Sequence, residues 1–78
     1  MPMHTVYVTY EDAQELIPVF QWYVDNAPMR DARADARIIL KELHNVPDQD
    51  FGPMPGKQIV FEKESLWQFF KDVEKQVR

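Results

Sequence analysis

The stretch HTVYVTYEDAQELIPVFQWYVDNAP, His4 to Pro28, changes its period partway along, and this change decides the fold. Val6 and Val8 alternate with polar or aromatic residues, which is the period of a half-buried strand. Thr9 can then cap a helix with its hydroxyl, and two acidic residues follow where the helix dipole favours negative charge. The pattern therefore predicts a strand that leads directly into a helix running from Tyr10 to about Asn26.

The end of this helix predicts a tight corner. Asn26 can adopt the left-handed conformation that terminates many helices, and Pro28 cannot continue one. A second helix is expected over MRDARADARIILKELHN, because apolar residues recur there at helical spacing. With so short a link, the two helices should form an antiparallel hairpin. The expected inward residues of the second helix are Ala32, Ala36, Ile39, Leu40 and Leu43.

The second half of the chain adds a strand and a third helix. Residues 45–57 are rich in proline and glycine and predict an irregular loop. QIVFE then has the pattern of a short strand. The final segment has apolar residues at nearly ideal helical spacing, namely Leu66, Phe69, Phe70, Val73 and Val77. The predicted order is β-α-α-β-α.

These elements predict a small α+β fold made of a single globular domain over residues 1–78. The helical hairpin and the C-terminal helix are expected to pack on a two-stranded sheet, with the strands antiparallel. A two-stranded sheet is marginal in water, and a second copy could extend it by pairing edge to edge. The sequence therefore leaves monomer and homodimer both open.

Composition limits the classes of partner and the compartment. The 78 residues include no cysteine, which fits a reducing compartment such as the cytoplasm. Nine basic and 13 acidic residues give a net charge of -4, which argues against general attraction to nucleic acid or anionic lipid. Charge interrupts every apolar run before it could span a membrane, and no secretory signal is recognisable. We expect a cytoplasmic protein with no membrane association.

Residues that could perform chemistry are few. His4 and His44 do not have the spacing of a metal site. Ser65 has no histidine nearby in sequence to activate it, and neither glycine belongs to a phosphate-binding motif. The expectation is a protein that is not an enzyme and needs no cofactor and no metal.

The second helix carries an ordered charge pattern. Arg33, Arg37 and Lys41 form a basic edge at four-residue spacing. Like charges one turn apart repel slightly, so the edge should face opposite charge elsewhere. One interpretation is internal pairing with the neighbouring helices. The other is a docking strip for an acidic partner or a phosphate backbone. Acidic residues occupy the opposite edge of the helix, namely Asp31, Asp35 and Glu42.

The first helix is expected to present an apolar outer surface. At 100° per residue, Trp22 falls nearly opposite the core positions, Pro18 lies one turn before it, and Val19 lies at the edge. These three residues are the predicted partner-binding patch. The alternatives are a kink at Pro18 that turns Trp22 inward, or a cover provided by the Phe51 loop. The expected core positions are Ala13, Leu16, Ile17, Phe20, Tyr23 and Val24.

The irregular loop contributes two further apolar side chains. Phe51 and Met54 are expected to fold back over an open end of the helices. The alternative is a recognition loop that contacts a partner.

These expectations favour a small non-catalytic protein–protein interaction module. It would act as an adaptor, regulator or inhibitor of a larger partner and could be a homodimer. The alternative is a regulatory protein that binds or mimics nucleic acid. The basic edge interrupts the continuous acidic surface that a mimic would need.

Overall fold

The computed structural model describes residues 3–48 and 56–77. The elements are β1 (His4–Thr9), α1 (Tyr10–Asn26), α2 (Arg30–His44), β2 (Gly56–Phe61) and α3 (Glu64–Val77). Three helices pack on a two-stranded antiparallel sheet, and the predicted β-α-α-β-α order and α+β class are confirmed.

The predicted junction between β1 and α1 is also confirmed. Thr9 has extended backbone angles, and its Oγ1 accepts a hydrogen bond of 3.1 Å from the backbone N–H of Asp12. That bond satisfies one of the amide groups that a helix start leaves without a partner. The strand can therefore pass into α1 without an intervening loop.

The corner after α1 differs from the expectation for Asn26. Among residues 3–48 and 56–77, no non-glycine residue has a positive φ, so the predicted left-handed conformation of Asn26 is wrong. The helix ends at Asn26, and the following residue, Ala27, has an extended backbone with a φ of -60° and a ψ of 132°. The physical reason is Pro28, because the proline ring disfavours helical angles in the residue before it.

The sheet faces the helices with one side only. Antiparallel pairing places Val6 opposite Ile59, and the inner face also contains the buried Val8 and Phe61. Residues of the opposite parity form the outer face. Tyr7 and Val60 on that outer face are 51% and 47% exposed, so the described helices do not cover them.

Strand β2 begins at Gly56, two residues before the predicted QIVFE segment. Gly56 lies opposite Thr9, and the ring of Tyr7 covers it. A Cβ atom at Gly56 would lie 2.6 Å from the Val8 carbonyl oxygen and 2.9 Å from the Tyr7 ring. The glycine therefore allows a close approach that no other residue would allow without a shift.

The core lies between the helices and the inner face of the sheet. The rings of Phe20 and Phe70, both fully buried, stack with centroids 5.9 Å apart and join α1 to α3. Ala36 is also fully buried, and its small side chain permits α1 and α2 to approach closely. The remaining members of this core are Val8, Ala13, Leu16, Ile39, Leu40, Leu43, Val46, Ile59, Phe61, Leu66 and Val73.

Candidate interaction surface

The predicted apolar residues of α1 lie on the surface of the molecule. Trp22 is 56% exposed, Pro18 is exposed and Val19 is half-buried. The helix continues through Pro18 to Asn26, and Trp22 stays on the outer side. The alternative cover by the loop concerns Phe51, which lies outside the described residues, as does Met54. We call Pro18, Val19 and Trp22 the Trp22 patch.

Pro18 is located where its missing hydrogen bond is tolerable. A proline inside a helix leaves the carbonyl of the residue four positions earlier, here Gln14, without its usual partner. Both Pro18 and Gln14 are exposed, so water or another chain can reach that carbonyl. The sequence thus places a helix-weakening residue on the outer face.

The Trp22 patch continues into a shallow groove between α1 and α3. Tyr23 and Gln76 complete the lining of this groove, and the Tyr23 hydroxyl donates to Gln76 Oε1 at 3.4 Å. The Tyr23 ring meets the rings of Trp22 and Phe69 edge to face, each at 5.3 Å between centroids. A half-buried aromatic residue therefore connects the patch to the core.

Sequence reasoning assigned Tyr23 to the core and did not include Gln76. The position of Gln76, seven residues after the inward-facing Phe69, would have placed it on the same side of α3. That α3 lies beside Tyr23 is a tertiary fact that the spacing alone does not contain.

The outer face of α1 is acidic as well as apolar. No lysine or arginine occurs before Arg30. Glu11, Glu15 and Asp25 are all exposed on α1. The Trp22 patch therefore has only negative charge along its own helix.

The structure divides the predicted basic edge of α2. Arg33 is half-buried, and its Nη1 donates to the Ala27 carbonyl at 2.7 Å and to the Pro28 carbonyl at 3.4 Å. Arg33 therefore satisfies backbone acceptors at the corner between α1 and α2. By contrast, Arg37 and Lys41 are exposed and form no ion pair with a described residue.

The acidic edge of α2 is partly used inside the molecule. Glu42 accepts from Lys57 Nζ at 3.3 Å, and both side chains are about two-fifths exposed. This pair joins α2 to β2, a combination that the sequence did not predict. An exposed ion pair of this kind contributes little stability, typically about 0 to 1 kcal/mol.

A second concave surface lies between α2, the start of α3 and β2. Its lining includes Ile38, Glu42, Val60 and Leu66. Ile38 and Val60 are 51% and 47% exposed. Sequence reasoning did not single out this surface, because residues from three distant segments form it.

Residues 3–48 and 56–77 place polar chemistry on the surface. In these two ranges no polar or charged residue is buried, and no group of three metal-ligating side chains occurs. None of the described helices is long and apolar enough to cross a bilayer.

Three comparisons with known proteins find no relative of this chain. A scan against protein-family models gives no match, and searches among curated proteins and among solved structures find no significant similarity.

Proposed function

We propose that this chain is a small non-catalytic protein–protein interaction module of the cytoplasm. It acts as an adaptor, regulator or inhibitor of a larger partner, and its Trp22 patch binds protein, either that partner or a second copy of the chain. The observation that carries the proposal is the 56% exposure of Trp22 on an unbroken helix, beside exposed Pro18. Tryptophan is strongly enriched among the residues that dominate binding energy at interfaces.

The surroundings of Trp22 suit an anchor residue. Its ring contacts the ring of Tyr23, and the Tyr23 ring in turn contacts Phe69 of α3. Rings held in this way lose little side-chain freedom on binding, and that cost opposes association. A partner that covers the patch would thus gain apolar burial at a low entropic cost.

The test is Trp22→Ala in the full chain, with Val60→Ala as the matched control. Val60 is also an exposed apolar residue, but it lies on the outer face of the sheet. We expect tagged wild-type chain and Val60→Ala to capture the same protein from a host extract, and Trp22→Ala to lose it. The free energy of unfolding should change by less than about 1 kcal/mol in both variants, as for most surface sites.

Two outcomes would contradict the proposal. One is capture that is identical for wild type and Trp22→Ala. The other is a loss of roughly 3 to 5 kcal/mol in the free energy of unfolding of Trp22→Ala, which is typical of a truncated core aromatic residue.

A second candidate function rests on Arg37 and Lys41. These two cations are exposed, one helical turn apart and without an ion pair among the described residues. They could follow a phosphate backbone, as in a nucleic-acid-binding regulator. The net charge of -4 and the engagement of Arg33 at the corner weigh against this candidate.

Salt dependence tests the second candidate directly. If Arg37 and Lys41 each neutralise one phosphate, the logarithm of the affinity for duplex DNA should fall with the logarithm of salt concentration at a slope of about -1.8. Replacing both residues by glutamate should remove the binding. An affinity that does not change with salt would eliminate this candidate.

A further inference from the structure

The outer faces of α1 and α2 have complementary chemistry. On α1, exposed Pro18 and Trp22 lie one turn apart. On α2, exposed Ala34 and Ile38 also lie one turn apart. The charges along the two faces differ in net sign. The apolar pair of α1 is flanked by exposed acidic residues only, namely Glu11, Glu15 and Asp25. The pair of α2 is flanked by three exposed cations and one exposed carboxylate, namely Arg30, Arg37 and Lys41 with Asp31.

The two faces also match in position along the helices. Helices α1 and α2 form an antiparallel hairpin with a short corner, so residues equally far from the corner lie at the same level. Positions can be counted backward along α1 from Asn26 and forward along α2 from Arg30. By this count, three pairs of residues lie at the same level of the hairpin. They are Trp22 with Ala34, Pro18 with Ile38, and Glu15 with Lys41.

Within one chain these pairs do not meet face to face. Both helices bury their opposite sides in the same core, so their outer faces point away from it side by side. Glu15 and Lys41 accordingly form no ion pair, and Trp22 stays exposed. The complementary chemistry is available to another molecule.

A second copy of the chain can use both faces at once. In such a dimer the twofold axis runs parallel to the helices and lies along the outer surface of the hairpin. Helix α1 of one copy then packs on α2 of the other copy. Trp22 then faces Ala34 of the partner subunit, a small residue over which a large ring can pack. Pro18 faces Ile38 of the partner subunit, and Glu15 faces Lys41 of the partner subunit.

We propose that the chain forms a homodimer through this surface, with the two hairpins stacked as a four-helix layer. This inference rests on the proposed function and names the partner of the Trp22 patch. The other face-to-face arrangement lays α1 on α1 and brings acidic residues against acidic residues. Charge therefore selects the first arrangement, and apolar burial of Trp22 supplies most of the affinity.

The first experiment measures self-association of the purified full chain by sedimentation equilibrium, from low micromolar to near-millimolar concentration. We expect a monomer–dimer equilibrium for wild type. Trp22→Ala should raise the dissociation constant at least about tenfold, whereas Val60→Ala should leave it unchanged. A wild-type chain that is monomeric throughout, or a dimer that Trp22→Ala does not weaken, would overturn the inference.

A charge exchange tests the arrangement of the helices. Glu15→Lys and Lys41→Glu should each weaken the dimer, because each places like charges opposite one another twice in the symmetric interface. The double variant restores opposite charges and should recover most of the affinity. Additive weakening in the double variant would overturn the proposed pairing.

Failure of this inference is distinguishable from failure of the proposed function. A monomeric chain whose capture of a different protein depends on Trp22 would overturn the homodimer and retain the interaction module. A monomeric chain with no Trp22-dependent capture would overturn both.

Discussion

Trp22 and Trp67, the two tryptophans of the chain, lie in different surroundings. Trp22 is 56% exposed, whereas Trp67 is half-buried and its ring stacks on His4 with centroids 4.3 Å apart and planes 17° apart. His4 begins β1 and Trp67 belongs to the first part of α3. This stacked pair therefore fastens the N-terminal strand to the C-terminal helix, and Trp22 remains available for contact.

The difference in exposure between Trp22 and Trp67 predicts that their fluorescence is quenched unequally in the monomer. Trp67→Phe leaves Trp22 as the reporter, and Trp22→Phe leaves Trp67. At low protein concentration, acrylamide should quench Trp22 more strongly than Trp67. If the chain dimerises through the Trp22 patch, quenching of Trp22 should decrease as the protein concentration rises. Equal quenching of the two residues at low concentration would contradict the exposure of Trp22.

At the level of the elements, the corner between α1 and α2 depends on Arg33. Its guanidinium reaches the Ala27 carbonyl, which the extended backbone before Pro28 leaves outside the helical hydrogen-bond pattern. The residue that looked like part of a docking strip thus supports the hairpin. Arg37, one turn later, has no described ion pair and serves as a matched control.

We predict that Arg33→Ala lowers the free energy of unfolding by about 1 kcal/mol, the usual contribution of an intramolecular hydrogen bond. Arg37→Ala should change it by less than about 0.5 kcal/mol, as at most exposed sites. Urea denaturation followed by circular dichroism measures both values. Equal effects of the two substitutions would mean that the Arg33 bond does not stabilise the corner.

At the scale of the whole molecule, the buried rings of Phe20 and Phe70 connect helices that are far apart in sequence. Phe70 also contacts the ring of Phe61 on β2, with centroids 5.3 Å apart. A chain of this length has a small core and little stability in reserve. The junction of α1, α3 and the sheet at Phe70 should therefore decide whether the fold persists.

Phe70→Ala is expected to lower the free energy of unfolding by roughly 3 to 5 kcal/mol, which includes the effect of the cavity left behind. That loss is comparable with the total stability expected for so small a domain, so the variant should be largely unfolded at physiological temperature. Phe69→Ala is the control, since Phe69 is half-buried and should cost less. Thermal unfolding that is equally affected by both substitutions would contradict a core centred on Phe70.

The sequence by itself determined the order and type of the elements. Alternation around Val8, helical spacing in α2 and α3, and the Thr9 cap all act between residues a few positions apart. Such short-range patterns can be recognised without knowing how the chain folds back. The helix period also predicted an outward position for Trp22, but it left open a kink at Pro18 that would turn the ring inward and a cover by the Phe51 loop.

Only the tertiary structure decided which of these surfaces are used internally and which are free. Arg33 donates a hydrogen bond to the Ala27 carbonyl at the corner between α1 and α2. Glu42 forms an ion pair with Lys57, and the Tyr23 hydroxyl donates a hydrogen bond to Gln76. The last two contacts join different elements. All three depend on the positions of the residues in space, and neither the charge pattern nor the helical period specifies those positions. Distance along the chain sets local structure, whereas distance in space sets the contacts between elements and the surface left for a partner.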